Sequence, residues 1–268
     1  MTYISLLGWI GLLILILMVL VWILSLILKN TSIVDIFWGT GFVLVNLASL
    51  WLTPDEVGLP RWLFSLLITA WGLRLSIHIL VRNAGKGEDF RYKKWREENG
   101  KRWWWYSFFQ TFIFQGILMW VIAIPISALH YYSRSNSLGW LDYLAILLWF
   151  VGFFFEAAGD AQLVQFKNNP ANKGKLLRTG VWKYSRHPNY FGDAAQWWAF
   201  YLFAASAGAY WTIFSPILMT FLLVRVSGVA LLEKTLINQK PGYRDYAETT
   251  SAFIPWLPRS PRDPKKES

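Results

Sequence analysis

The chain has 268 residues, of which 55% are hydrophobic and 16% charged, and its formal net charge is +10. Soluble domains carry about 45–50% apolar and about 25% charged residues, so these proportions, with a mean hydropathy of +0.33, exclude an ordinary soluble enzyme and a disordered chain. The absence of cysteine excludes disulfide scaffolds, thiolate metal sites and cysteine nucleophiles.

The basic residues interleave with long apolar runs, which points to the loops of an all-α, polytopic membrane protein and away from a nucleic-acid partner. A span needs about 20 mostly apolar residues to cross about 30 Å of hydrocarbon. Seven stretches qualify as candidates: Ile4–Leu28, Ile36–Leu52, Trp62–Val81, Phe108–Leu129, Leu141–Phe155, Gly192–Ala207 and Trp211–Leu232. The first carries no charge and lacks the basic n-region and small-residue cleavage site of a signal peptide, so it is expected as a permanent helix. The fifth is short as an apolar run and is expected to continue as helix through Asp160 towards Lys167. The sixth and seventh are joined by little more than a turn and read as a tight hairpin.

Between the spans lie a basic loop from Arg82 to Arg102, with Gly85, Gly87 and Gly100, and a crossing from Asn168 to Tyr190 that holds Pro170, Gly174, Gly180 and Pro188. Residues 1–258 read as a single seven-helix domain without internal repeats, and residues 259–268 as a disordered basic tail. With seven helices, Lys29 and the basic clusters Arg82–Arg102, Lys167–Arg186 and Lys234–Lys266 share one side of the membrane, leaving Arg61 and Arg134 on the other. The positive-inside rule then orients the chain with its amino terminus outside and its carboxyl terminus cytoplasmic.

Ionisable groups inside spans cost roughly 2.5–3.5 kcal/mol each and mark functional interiors. Asp35 starts the second helix, with Gly39, Phe42 and Asn46 on the same face. The third helix carries Arg74 and His78 one turn apart, with Trp71 on that face. The fifth carries Glu156, Asp160 and Lys167 in one stripe with Gly152. Arg225 lies in the seventh, and Glu233 just past its inner end. The expected topology puts these groups at similar depth near the cytoplasmic leaflet, as a polar cavity open to the cytoplasm requires.

The segment from Gly180 to Asp193 supplies two cations, an imidazole, an amide, two phenols and a carboxylate at the mouth of the sixth helix. Pro188 suits a first helical turn, and Arg186 beside the free N–H groups there makes an anion site. Together with Arg74, Lys167, Lys173, Lys175, Arg178 and Arg225, the cations suffice for a ligand bearing several phosphates. A basic loop that binds lipid headgroups is the competing reading of the same residues.

Arg186-His187-Pro188-Asn189-Tyr190-Phe191-Gly192-Asp193 resembles the signature of the DUF1295 membrane proteins, of the steroid 5-alpha-reductase and sterol-reductase superfamily. Ser32-Ile33-Val34-Asp35, Trp71-Gly72-Leu73-Arg74-Leu75, the block from Ser227 to Lys234, Pro241-Gly242-Tyr243-Arg244 and Ser251-Ala252-Phe253-Ile254-Pro255-Trp256 are similar to it as well. The resemblance implies a seven-helix oxidoreductase, 3-oxo-5-alpha-steroid 4-dehydrogenase-like, that takes NADPH from the cytoplasm. Its reaction would reduce a carbon–carbon double bond conjugated to a ketone in a steroid- or lipid-like substrate. Carried over by position, Arg74, Asp160, Lys167, Arg186, Asn189, Tyr190, Asp193 and Arg225 would be cofactor contacts, with Glu156 in place of an amide and Arg178 among the phosphate cations. Asp35 would face the substrate ketone. Trp71 stands where the reductases have a catalytic tyrosine, so the proton donor of this chain is open, and a protonated Asp35 is one candidate.

Neither Gly39-Thr40-Gly41 nor Gly85-Lys86-Gly87 extends to a dinucleotide fingerprint after a strand, so a Rossmann site is not expected. A second enzyme reading is methyl transfer of the isoprenylcysteine or phospholipid type, with His187 and Glu233 serving S-adenosylmethionine. Its sulfonium asks for carboxylates and aromatic faces more than for arginines. A third is a non-enzymatic lipid-binding protein. Membrane lipids and a hydrophobic small molecule are the expected partners, the bacterial inner membrane or the endoplasmic reticulum is the expected location, and the three histidines have no metal-ligand spacing.

Overall fold

The computed structural model describes residues 1–53, 57–226, 228–229, 232–233, 236–237 and 240–260. The regular elements there are all helical: α1 (Tyr3–Ile27), α2 (Phe37–Leu52), α3 (Leu59–Asn83), α4 (Phe90–Asn99), α5 (Trp103–Ser107), α6 (Phe114–Ile122), α7 (Ile124–Tyr132), α8 (Trp140–Asn168), α9 (Pro188–Ser206), α10 (Phe214–Phe221) and α11 (Tyr243–Thr249). Five helical runs among the described residues, Tyr3–Ile27, Thr31–Leu52, Leu59–Asn83, Phe90–Tyr132 and Trp140–Asn168, are long and apolar enough to cross a membrane. The chain is an integral membrane protein. The two remaining candidate spans are helical too, as α9 and as the shorter apolar run Tyr210–Val226. Most of the basic tail, from 261 onward, lies outside the described residues, as do Ser227, Ala230, Leu231 and Lys234.

Two expectations are corrected in detail. The Arg82–Arg102 segment is not a plain loop, because it contains α4. Asp89 caps that helix by accepting from Arg91 N at 3.0 Å, and Gly100, at φ 51°, ends it. Asp35 does not open α2: it sits in a 3-10 turn, Thr31–Ile36, that Asn30 caps through Ser32 N. Asn30 competes for the backbone donors there and delays the α-helix to Phe37. By contrast, α8 runs unbroken from Trp140 to Asn168, as the stripe of polar residues after Phe155 suggested.

Two compact units divide the chain: Met1–Tyr143 with Phe200–Ser215, and Leu144–Ala199 with Pro216–Ser268. In the first, α1 buries Leu6, Ile10, Ile14, Met18, Val21 and Ser25, a single row at helical spacing, and turns its other faces outward as a lipid-facing helix does. α2 and α3 approach until a Cβ on Gly39 would stand 2.1 Å from the Gly72 carbonyl oxygen. Only glycine permits that contact, and the small-residue seam lets the two backbones pack directly.

A buried polar seam ties the same helices. Asn46 Oδ1 meets His130 Nε2 at 2.8 Å and Ser65 Oγ at 3.3 Å. Arg61, expected in an outer loop, is fully buried. Its Nη2 donates to Thr53 O and Oγ1, at 2.7 and 2.6 Å, at the end of α2. A helix's last carbonyls lack intrahelical donors and attract a cation, which accounts for its inward turn.

Candidate functional site

In the first unit, Asp35 receives two donors from α4. Tyr92 Oη donates to Asp35 Oδ1 at 2.7 Å, and Arg91 Nη2 lies 3.2 Å from Oδ2. Glu88 and Arg96 form a two-pronged ion pair, with both contacts at 2.8 Å, and Glu88 also accepts from Thr31 N. Burial works against ionisation of Glu88, but the Arg96 guanidinium and the Thr31 N–H outweigh it and hold the carboxyl below its usual range. These contacts seat α4 on the turn that carries Asp35.

Trp71 is fully buried. Its ring packs against Phe42 and Phe200, with centroids 5.9 and 5.6 Å away. Arg74 and His78, one turn apart on the same helix, are half-buried.

In the second unit, α8 and α9 are brought together by glycines. A Cβ on Gly152 would lie 2.7 Å from Gly192 O, and one on Gly159 3.1 Å from Asn189 N. This approach places buried Glu156 against Gln196, whose Nε2 donates to it at 2.5 Å. One turn on, Asn189 Nδ2 donates to Asp160 Oδ1 at 3.0 Å. Asp193 is buried in the first turns of α9, which begins at Pro188 as the sequence suggested. Tyr190 stacks on His187 with the rings 20° apart.

Arg186 is buried among acceptors of the protein itself. Its Nε and Nη2 each lie 2.7 Å from Glu233 Oε1, and Nη1 donates to the carbonyls of Ala247 and Thr250, both at 2.6 Å. His187 Nε2 is 3.4 Å from the same Glu233 oxygen. Burial acts to raise the Glu233 pKa, but the His187 and Arg186 contacts prevail and lower it below 4.5. Burial, with Glu233 adding to it, pushes the neighbouring Tyr243 up to about 12. Because the folded state favours the carboxylate, Glu233 contributes stability above its ordinary pKa and loses it as pH falls through the lower folded value. The melting midpoint of the wild type should therefore drop on acidification below pH 4.5 more steeply than that of Glu233→Gln; parallel pH profiles would refute this.

Lys167, Arg178 and Arg225 are exposed. Arg178 donates to Gly242 O and lies over the Tyr246 ring at 5.3 Å. Sequence reasoning missed Arg91, Tyr92, Gln115 and Gln196, since none carries a motif and each is joined to its partner across 23 or more residues.

Among the described residues, the buried Gln196 Oε1 has no hydrogen-bond partner and is an acceptor open to a further donor.

A model of the family described as "Protein of unknown function (DUF1295)" matches residues 21–250. An uncharacterized protein of Schizosaccharomyces pombe is 29% identical over 265 residues, covering 88% of this chain and 76% of its own length. The Delta(14)-sterol reductase of the same yeast is 33% identical over 102 residues, 32% of this chain and 24% of that protein. No solved structure matches. With a family match that runs from α1 to beyond α11, this integral membrane protein belongs to the DUF1295 family.

Proposed function

We propose that the chain is an NADPH-dependent membrane reductase of a carbon–carbon double bond conjugated to a ketone, acting on a hydrophobic, sterol- or lipid-like substrate. The observation that carries this reading is the local likeness to a sterol reductase within a chain whose carboxylate–amide pairs, Glu156–Gln196 and Asp160–Asn189, suit a nucleotide. The protein has seven spans, with its amino terminus outside and its carboxyl terminus and cofactor entry on the cytoplasmic side of the bacterial inner membrane or the endoplasmic reticulum.

Lys167, Arg178 and Arg225 serve the phosphates, and Glu156, Asp160, Asn189, Tyr190 and Asp193 the ribose and base edges. Arg186 and His187, locked to Glu233, hold the wall of the site. Asp35 faces the substrate ketone and Trp71 lines the apolar slot. Bound NADPH supplies a hydride; the protein's part is to orient the enone, exclude water and stabilise the charge that develops on oxygen.

Methyl transfer is the second reading, favoured by three buried carboxylates, Glu156, Asp160 and Asp193, in a unit where a sulfonium would be welcome. Thermal denaturation of the detergent-purified protein with NADPH, NADH or S-adenosylmethionine separates the two. Saturable stabilisation by NADPH is expected, weakened about tenfold or more in Arg225→Ala through loss of one charge-assisted contact. Stabilisation by S-adenosylmethionine alone overturns the reductase.

A further inference from the structure

In the second unit, the arm that follows α11 carries bulky apolar side chains outside the protein. Ile254, Trp256 and Leu257 are 62, 69 and 73% exposed. Phe253, beside them, packs edge-on against Phe191 of α9 with ring centroids 6.0 Å apart. The backbone holds this arrangement. Ser185 Oγ donates to Phe253 O at 2.8 Å, Trp256 N to Tyr184 O at 2.9 Å and Arg259 N to Thr249 O at 2.8 Å. Pro255 and Pro258 flank Trp256-Leu257. Proline fixes its own φ and lacks an N–H, so the arm cannot coil into a helix that would hide them. Three large apolar groups held outward within four residues form an interaction surface.

The arm sits at the depth where a membrane helix meets the headgroups. α8 has 29 residues and rises about 43 Å. That exceeds the hydrocarbon thickness by about 13 Å, the rise of about nine residues. The exposed aromatic side chains of α8 end at Phe154, and Glu156, Asp160, Gln162, Gln165 and Lys167 follow. The surplus therefore falls at the carboxyl end, and Gly159 stands near the boundary. Trp182 Nε1 donates to Gly159 O at 3.1 Å, which fixes Lys183-Tyr184-Ser185, and the arm bonded to them, at this level. Two exposed cations frame the patch: Arg259, and Lys183, whose Nζ lies 6.0 Å from the Tyr184 ring centroid. Arg262, Lys265 and Lys266, against Asp263 and Glu267, continue the basic excess in sequence, outside the described residues. Aromatic side chains flanked by lysine and arginine are those the bilayer interface selects, and cations there attract anionic lipid. A second copy of the same face would meet its own positive charge.

We propose that Ile254–Arg259 is a membrane-surface anchor for anionic phospholipid. Ile254, Trp256 and Leu257 enter the interface, and Lys183 and Arg259 pair with lipid phosphates. The anchor acts on the segment before it: it holds residues 243–256 against the bilayer, and with them the Ala247 and Thr250 carbonyls that Arg186 grips. This role involves neither nucleotide nor enone, so it stands whether or not the chain is a reductase.

The test uses the full chain in lipid nanodiscs. The chain has no cysteine, so Leu257→Cys labelled with a polarity-sensitive nitrobenzoxadiazole group reports this position alone. Ile254→Cys, labelled likewise, serves where the first folds poorly. With phosphatidylcholine and phosphatidylglycerol in equal parts, the label is expected to emit to the blue of its emission in water. It is also expected to be quenched by lipids that carry a doxyl group near the headgroup, and to be shielded from acrylamide. Adding Lys183→Gln or Arg259→Gln is expected to lower the ratio of inserted to free arm about fivefold each, the weight of one basic residue at an anionic surface. Water-like emission, quenched by acrylamide and not by doxyl lipid, overturns the anchor. A blue emission that doxyl lipid does not quench assigns the patch to a protein contact, a second copy included, and overturns it as well. Insertion equally strong in pure phosphatidylcholine overturns the recognition of anionic lipid.

Discussion

Gly192→Ala is expected to lower the melting midpoint by about 5–10 °C and to abolish any nucleotide-dependent stabilisation. A Cβ there would stand 2.4 Å from Glu156 N and 2.5 Å from Gly152 O. Both are backbone atoms of α8, so no side chain can swing aside and the helices must separate. Overpacking a tight contact costs about 1–3 kcal/mol, and a backbone obstacle belongs at the upper end. The same displacement would pull Glu156 from Gln196 and Asp160 from Asn189, so site and fold fail together. Gly8→Ala is the control, because a Cβ at Gly8 meets nothing within 4 Å and a glycine inside a helix is already suboptimal by about 0.5–1 kcal/mol. Equal midpoints for Gly192→Ala and the wild type would refute this account of the α8–α9 contact.

Most of the helical framework was legible in the sequence, because apolar length alone dictates it in a membrane. The exception around Phe90–Asn99 is instructive. That helix has almost no apolar periodicity; it forms because Asp89 caps it and because Arg91, Tyr92 and Arg96 find partners on the Thr31–Ile36 turn. A tertiary cause of this kind leaves no local trace. The site was legible in part for the same reason. Intramembrane charges announce themselves by their cost, so Asp35, Glu156, Asp160 and the Arg186–Asp193 segment stood out. Uncharged partners such as Gln115 and Gln196 do not, although they decide which way the hydrogen bonds run. Arg186 is the converse case: its charge marks an anion site in the sequence, whereas its contacts with Glu233 and the carbonyls of Ala247 and Thr250 leave no trace there.

That clasp sets the second large effect. Arg186→Ala is expected to cost about 3–5 kcal/mol, as removal of one partner from a buried ion pair does. It would leave Glu233 and the carbonyls of Ala247 and Thr250 without their shared donor. Among the described residues, the other hydrogen bonds between Trp182–Arg186 and the 243–256 segment are neutral: Arg186 N to Ser251 O, Ser185 Oγ to Phe253 O, Trp256 N to Tyr184 O, and the Tyr246 hydroxyl to the carbonyls of Trp182 and Ser185. Each is worth only about 1 kcal/mol net, so the 243–256 segment should become the first point of proteolytic cleavage in the variant. Arg186→Lys keeps the charge but loses the planar fork that reaches a carboxylate and two carbonyls at once, and should recover less than half of the loss. If Arg186 instead gripped a phosphate as its main task, Arg186→Ala would leave the nucleotide-free protein as stable and protease-resistant as the wild type while weakening NADPH. Melting and limited proteolysis in the absence of nucleotide therefore discriminate between clasp and ligand, and the three carbonyl and carboxylate acceptors around one guanidinium favour the clasp.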